Sequence, residues 1–168
     1  MSMSTVNLSY TLPGAVLPSI HYVDALGNPQ VLLFRMPPTN VSPVAPVPVR
    51  NDNVAGDGTM WSVLQYVEAY MEMEVLCLIG DDVANWIAFL SAAVNGQVLT
   101  FYPDQSVGSY SVQVRLMVQG TSGASNTNVP RGDPQLKRAG VGRFKAQLVF
   151  RYETPSDAAV CFQKLNNW

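Results

Sequence analysis

The chain has 168 residues, which is the size of one domain and long enough to bury a sizeable core. Apolar residues make up 48% of it and charged residues only 13%, about half the usual charged share of roughly a quarter. A surface so poor in charge favours contact with other chains, and the net charge of -2 excludes the basic excess that sequence-specific duplex binding requires. We expect a single domain over residues 1–168.

The first element predicted along the chain is a β-hairpin in "SIHYVDALGNPQVLLFRM", residues 19–36. Two runs rich in β-branched and aromatic residues flank Gly27-Asn28-Pro29, which is strong turn chemistry. The preceding start, "MSMSTVNLSYTLPG", lacks the basic region of a signal peptide, and no apolar run in the chain reaches the length of a membrane span. We expect synthesis in the cytoplasm and no membrane span.

The segment 37–59, "PPTNVSPVAPVPVRNDNVAGDGT", contains five prolines, so it cannot form a helix or a central strand. It is predicted to be an extended, polyproline-like arm followed by a turn rich in Gly, Asn and Asp. Two functions fit such a segment, an arm that contacts a neighbouring subunit or a mobile loop. The residues of the arm are Pro37, Pro38, Pro43, Pro46, Pro48 and Arg50.

The next segment, "MWSVLQYVEAYMEMEVLCLIG", fits a strand and also a helix with an apolar stripe. Its β-branched and aromatic content and the following Gly80 favour the strand. In a strand, apolar and acidic residues separate onto opposite faces. The apolar face is Trp61, Val63, Val67, Ala69, Met71, Met73, Val75 and Cys77. The acidic face, which we expect to be solvated, is Glu68, Glu72 and Glu74.

One short helix is predicted in "DDVANWIAFLSAAVNG", residues 81–96. Asp81 or Asp82 can cap its start, and Asn95-Gly96 closes it. Its apolar face carries Trp86 and Phe89, which we expect to anchor the helix on the sheet. Alternating strands follow at 98–102 and 110–118, then a Gly/Ser/Asn-rich loop at 119–142, and a last strand in "RFKAQLVFRYE".

The sequence predicts no catalytic residue, no cofactor and no metal site. The only histidine, His21, lies in a strand pattern with no Ser or Cys near it in sequence. The two cysteines, Cys77 and Cys161, have no metal-ligand or Cys-x-x-Cys spacing, which favours buried thiols. A solvated strand face explains the clustered glutamates, and a helix cap explains Asp81-Asp82, so neither group requires a role in acid/base catalysis.

The order of residues from 61 to 153 resembles the N-terminal, ring-forming domain of tailed-bacteriophage distal tail proteins and related minor tail proteins. In that family a strand leads into a helix holding a Trp and a Phe, then "G..F.FYPD", a Tyr-led strand and a closing strand that ends in an Arg and a Glu. The matching residues are Trp86, Phe89, Gly96, Phe101, Tyr102, Pro103, Asp104, Tyr110, Phe150, Arg151 and Glu153. Phe144 departs from the pattern, since the family often has Tyr there.

The resemblance implies a mainly-β fold, an antiparallel, tail-tube-like β-sandwich flanked by one short α-helix. It implies a non-enzymatic virion structural protein of a phage tail, at the tail tip or baseplate, in the tube or as an adaptor. The expected partners are copies of itself in a ring, with a hexamer favoured, other phage tail proteins, and DNA passing through without specific binding. The chain is too short for the second, carbohydrate-module-like domain of many distal tail proteins, so receptor binding through that domain is not expected.

Two alternatives stay open from the sequence. In the ring, Glu68, Glu72 and Glu74 are predicted to face the lumen, where negative charge repels DNA phosphates, but an ordinary outer surface fits them nearly as well. From another functional class, a β-sandwich that binds a small ligand or carbohydrate would expose aromatic residues in a groove. The candidates for that groove are Tyr102, Tyr110 and Tyr152.

Overall fold

A computed structural model describes residues 17–43, 47–103, 110–118 and 134–165, and in these ranges the chain forms ten strands and two helices. The strands are β1 (Ser19–Val23), β2 (Pro29–Leu33), β3 (Thr39–Pro43), β4 (Val47–Val54), β5 (Met60–Glu68), β6 (Tyr70–Leu78), β7 (Leu99–Tyr102), β8 (Val112–Leu116), β9 (Gln135–Gly140) and β10 (Arg143–Tyr152). The helices are α1 (Asp81–Ala93) and α2 (Asp157–Leu165).

Eight strands form one antiparallel sheet in the order β2-β1-β7-β8-β10-β6-β3, with β9 also paired to β10. The long strand β10 organises this sheet, because β6 pairs along one edge while β9 and β8 pair with the first and last parts of the other. Strands β4 and β5 form a separate two-stranded sheet. The predicted mainly-β, antiparallel class with a flanking helix is confirmed.

The large sheet curls around α1, which contacts β6 on one side and β1 and β2 at the other end of the strand order. Trp86 and Phe89 of α1 are fully buried. The Trp86 ring lies 5.2 Å from that of Phe34, and the Phe89 ring lies 5.3 Å from that of Tyr22. The core is therefore enclosed by the curled antiparallel sheet and its helices.

The hairpin predicted at 19–36 is formed by β1 and β2. Its turn is held by the carboxylate of Asp24, which accepts the backbone N–H groups of Leu26 and Asn28, each at 2.9 Å. Gly27 has a φ of 85°, a conformation that only glycine adopts without strain. The predicted turn after β4 also has a glycine with positive φ, since Gly58 has a φ of 84°. It is closed by the N–H of Ala55, which donates to the carbonyl of Thr59 at 2.8 Å.

The prediction of a polyproline-like arm at 37–59 is wrong in its local structure. Residues 39–43 form β3 and pair with β6 at the sheet edge, and residues 47–54 form β4 and pair with β5. The prolines are tolerated because β3 is an edge strand and β4 belongs to a two-stranded sheet, so neither needs an N–H at every position. Residues 44–46 lie outside the described part of the chain.

The segment 61–79 is extended, as favoured, but it makes two strands that meet at Ala69. From Ala69 to Cys77 the odd-numbered residues are buried, whereas Trp61 and Val63 are exposed on β5. Their predicted place on a buried face is wrong, since alternation assigns a residue to a face and only a covering layer buries it.

Three further differences from the sequence predictions have local causes. Within the loop predicted at 119–142, residues 135–140 form the edge strand β9, which is too polar to show an alternating pattern. Residues 119–133 are outside the described ranges. A second helix, α2, follows β10. Neither Asp81 nor Asp82 caps α1, whose N-cap is Gly80; the Asp82 carboxylate instead accepts the N–H of Leu78 at 2.8 Å, joining the helix to the end of β6.

Candidate functional site

The ribbon, which we define as β4, β5 and their turn at residues 47–68, is the most exposed element of the described structure. Its strands pair with each other and with no other described strand. Every residue from 50 to 66 is exposed. An isolated two-stranded hairpin is only marginally stable in water, so a ribbon of this length calls for a second surface to cover it.

The two faces of the ribbon differ in charge. Cross-strand register pairs Asn53 with Trp61 and Asn51 with Val63, and these four residues form the neutral ribbon face. A register shift between Val49 and Arg50 then realigns the strands. The other face, which we call the mixed ribbon face, consists of Val54, Met60, Asp52, Ser62, Arg50 and Leu64.

Large apolar side chains are exposed on both ribbon faces. On the neutral ribbon face Trp61 is 66% exposed and Val63 is 60% exposed. On the mixed ribbon face Met60 and Leu64 are also more than half exposed. Exposed apolar side chains grouped on one face are typical of surfaces that contact another molecule, and Trp is among the residues most enriched at protein interfaces.

The residues predicted to form the arm lie in different parts of the structure. Pro48 and Arg50 lie on the ribbon and are exposed, and Arg50 lies 3.9 Å from Asp52. Pro38 is buried and Pro37 is partly buried, both before β3. Pro43 ends β3, and Pro46 is outside the described ranges. The exposed segment that best fits an intersubunit arm is therefore the ribbon at 47–68, and not the predicted segment 37–59.

The root of the ribbon is tied to the large sheet by an ion pair of which one partner is buried. The carboxylate of Glu68 is only 5% exposed and lies 3.3 Å from the guanidinium of Arg151. The hydroxyl of Tyr70 donates to the same carboxylate, and the carbonyl of Ala69 accepts the N–H of Tyr152 at 2.9 Å. Burial and the bond to Glu68 raise the pKa of Tyr70, which keeps the donating proton in place at neutral pH.

The three predicted lumen residues are in different environments. Glu72 is exposed. Glu74 is partly buried, with Lys145 Nζ at 3.0 Å and a hydrogen bond from Gln147. Glu68 is buried, so the expectation of a solvated acidic face is wrong at that position, because Arg151 of β10 reaches the break between β5 and β6. That this surface lines a lumen stays a prediction.

The outer face of the large sheet, opposite α1, has one charged half and one neutral half. The charged half is on β6, β8 and β10, where three ion pairs join Arg115 to Glu153, Lys145 to Glu74 and Arg151 to Glu68. Strands β1, β2 and β7 contain no Asp, Glu, Lys or Arg. We call their outer surface the neutral sheet half.

Apolar and aromatic side chains line the neutral sheet half. Val31 and Leu33 of β2 are each 50% exposed, and Val23 of β1 is nearly as exposed. His21, the only histidine, is exposed beside them and its ring lies 4.7 Å from that of Tyr102. Sequence reasoning predicted this hairpin but assigned it no function. The continuous apolar run from Val31 to Phe34 is the signal that could have identified it, since it puts apolar residues on both faces of the strand.

No protein-family model and no curated protein sequence matches this chain.

Three of the remaining candidate residues, Tyr152, Cys77 and Cys161, are buried. Tyr152 lies in the core and its hydroxyl contacts Met71 Sδ at 3.4 Å, so it cannot line an exposed groove with Tyr102 and Tyr110. Cys77 and Cys161 are free and buried. Among the described residues no group of three metal-ligating side chains occurs. Over the same ranges, none of the helices has the length and apolar character needed to cross a bilayer.

Proposed function

We propose that the chain is a non-enzymatic structural subunit that assembles with copies of itself into a ring, as ring-forming proteins of bacteriophage tails do, with DNA passing through the ring. The observation that carries the proposal is the ribbon, which exposes apolar side chains on both faces and pairs with no other described strand. A subunit built for assembly has such an element, because its free surface becomes buried in the complex.

The free energy available from covering the ribbon is substantial. Full burial of one large apolar side chain contributes about 1.5–3 kcal/mol. Trp61 and Val63 on the neutral ribbon face are each more than half exposed, as are Met60 and Leu64 on the mixed ribbon face, so covering either face gains a large part of two such contributions. The strands are already paired, so little backbone entropy is lost when the ribbon docks.

Two further observations support a phage-tail ring. Charged residues are only 13% of the chain, which suits a subunit whose surfaces are shared with neighbours. Four of the residues that carry the resemblance, Trp86, Phe89, Phe101 and Phe150, are buried in one core, as expected of residues that specify a shared fold. The placement of the ring within a tail, and the virion as its location, rest on the resemblance.

The test is the solution mass of the purified chain by light scattering over a range of concentrations, followed by electron microscopy of the particles. We expect a ring, with six copies favoured. The matched variant replaces residues 50–65 by Asn-Gly, which keeps the pairs Val49–Tyr66 and Val47–Glu68 and removes the exposed part of the ribbon. It should be a folded monomer. A wild-type chain that stays monomeric at all concentrations contradicts the proposal.

A further inference from the structure

The neutral ribbon face and the neutral sheet half match each other in chemistry. Each is two or three strands wide, carries exposed apolar residues, and holds no formal charge from an acid, lysine or arginine side chain. The neutral ribbon face presents Trp61 and Val63 on β5, directly opposite Asn53 and Asn51 on β4. The neutral sheet half presents Val23, Val31 and Leu33 beside the rings of His21 and Tyr102.

The charges nearest to the neutral sheet half, Asp24 and Arg35, lie just outside its strands. Asp24 lies in the turn after β1, where its carboxylate accepts backbone and side-chain donors of Asn28 and the side chain of Gln30. Arg35 is exposed and lies two residues beyond Leu33, the last residue of β2. A partner that covers Val31 and Leu33 can leave its guanidinium in water at the edge of the contact.

We propose that the neutral ribbon face of one copy docks on the neutral sheet half of a second copy of this chain. The inference rests on the proposed self-assembly and names the two surfaces that meet. In the complex Trp61 packs over the exposed valines and leucine of β1 and β2, and Asn51 and Asn53 supply hydrogen bonds at the rim. The charged sheet half stays in water.

The occupant is a second copy because the two surfaces do not meet within one chain. The ribbon leaves the large sheet between β3 and β6, at one end of the strand order, and the neutral sheet half is at the other end. The sheet curls toward α1, so its outer face turns away on both sides. Both surfaces accordingly remain exposed in the same molecule.

The dimensions of the two surfaces are compatible. At about 3.3 Å per residue, the neutral ribbon face, which covers residues 51–53 and 61–63, is roughly 10 Å long. Strands β1 and β2 have 5 residues each, or roughly 17 Å, so this face fits within their length. The alternative receiving surface, the charged sheet half, would require three ion pairs to lose their water, which is costly.

Docking of one surface on a different surface has a consequence for assembly. Every copy has one ribbon to give and one neutral sheet half to receive, so the contact is head-to-tail. Such contacts generate a closed ring when the rotation between neighbours closes, and a filament when it does not. A ribbon that paired with a second ribbon would instead stop at a dimer.

Mixing two disabled variants tests this arrangement. The ribbon variant carries Trp61→Asp with Val63→Asp, and the sheet variant carries Val31→Asp with Leu33→Asp; all four positions are exposed, so both chains should fold. Burying an unpaired charge should weaken association by roughly 100-fold or more. Each variant alone should be a monomer by light scattering. Mixed, they retain one intact contact, the ribbon of the sheet variant on the neutral sheet half of the ribbon variant, and should give a one-to-one complex.

The controls separate this inference from the proposed function. Val141→Asp, at a turn position that is 91% exposed and belongs to neither surface, should assemble as the wild type does. If the wild type assembles and the sheet variant also assembles alone, the receiving surface is elsewhere and the inference is overturned while self-assembly stands. If the two monomeric variants do not combine, head-to-tail docking is overturned. A wild type that is monomeric overturns both proposals.

Discussion

Glu68, the last residue of β5, and Arg151, near the end of β10, form an ion pair with 3.3 Å between a carboxylate oxygen and a guanidinium nitrogen. The carboxylate is buried and the arginine is 42% exposed, so water reaches only one partner. Their contact joins the root of the ribbon to the central strand of the large sheet. The pair thus couples the element proposed for assembly to the core of the domain.

Replacing Arg151 by methionine should therefore destabilise the fold. The variant leaves the Glu68 carboxylate buried with Tyr70 as its remaining hydrogen-bond donor, and we expect a loss of about 1–3 kcal/mol in the free energy of unfolding. Urea unfolding of the ribbon-shortened chain measures this without interference from assembly. As a control in the same ribbon-shortened chain, Lys137→Met removes an exposed charge from β9 and should change stability by less than about 0.5 kcal/mol. Equal effects at the two positions would contradict the role of burial.

Substitutions on the buried face of α1 should have a larger effect on the free energy of unfolding. Trp86→Ala should lower the free energy of unfolding by roughly 3–5 kcal/mol, because it leaves a cavity between Phe34 and Phe89. Trp86→Phe should cost much less, since it keeps most of the ring packing and removes an indole N–H that has no hydrogen-bond partner among the described residues. Ile87→Ala, on the exposed side of the same helix, is the control. Thermal unfolding ranks the three variants, and a stable Trp86→Ala chain would contradict the packing.

Features that are set by the local sequence pattern could be predicted, whereas features that are set by tertiary contacts could not. Alternation from Met71 to Cys77 and the turn residues Gly27-Asn28-Pro29 act locally, so strands and hairpin could be predicted. The exposure of Trp61 could not, because it depends on the lack of a second layer over the ribbon.

Long-range partners explain the other misses. Strand β9 exists because β10 offers it a free edge, and its own residues, "QLKRAG", have no apolar alternation. The burial of Glu68 depends on Arg151, which is distant in sequence. The split of the outer sheet face into a charged and a neutral half follows from strand order, which no single segment of the sequence specifies.

Asp82 should make stability depend on pH. Burial raises the pKa of this carboxyl group, with the Leu78 N–H and the charge of Arg35 opposing the shift. The folded state therefore favours the protonated acid, so the stability contributed here is fully present below the unfolded-state pKa and is lost as the pH rises through the folded-state pKa. Asp82→Asn lacks this titration and keeps an oxygen to accept the Leu78 N–H.

The free energy of unfolding of Asp82→Asn, relative to wild type, should thus increase as the pH is raised from acid toward neutral. Urea unfolding at a series of pH values measures the difference. Asp81→Asn controls for the loss of one negative charge in the first turn of α1, since Asp81 is exposed. A relative stability that falls with rising pH would mean that the hydrogen bond and Arg35 outweigh burial.

The turn of the β1–β2 hairpin should respond to pH in the opposite sense. Hydrogen bonds from Asn28, Gln30 and Leu26 lower the pKa of Asp24, against a smaller opposing effect of burial. Stability from this turn is present above the unfolded-state pKa and is lost as the pH falls through the lower folded-state pKa. Asp24→Ala should therefore reduce stability at neutral pH and reduce it least in strong acid. If the hairpin also receives the ribbon of a neighbour, the same variant should weaken assembly at neutral pH, as measured by light scattering.

The direction in which Glu72 points in the assembled ring can be tested by chemical labelling. The structure exposes this side chain on the charged sheet half, and the resemblance to phage tail proteins predicts that it faces the lumen. In Glu72→Cys the new thiol is the accessible one, because burial raises the pKa of Cys77 to about 12 and that of Cys161 to about 11 and so keeps both native thiols protonated. A small maleimide should label Cys at position 72 in the ring, whereas a maleimide coupled to a folded protein too wide for the lumen should not. The same substitution in the ribbon-shortened monomer should accept both reagents, which shows that any block comes from assembly. Equal labelling of the ring by both reagents would place Glu72 on the outside and end the lumen prediction.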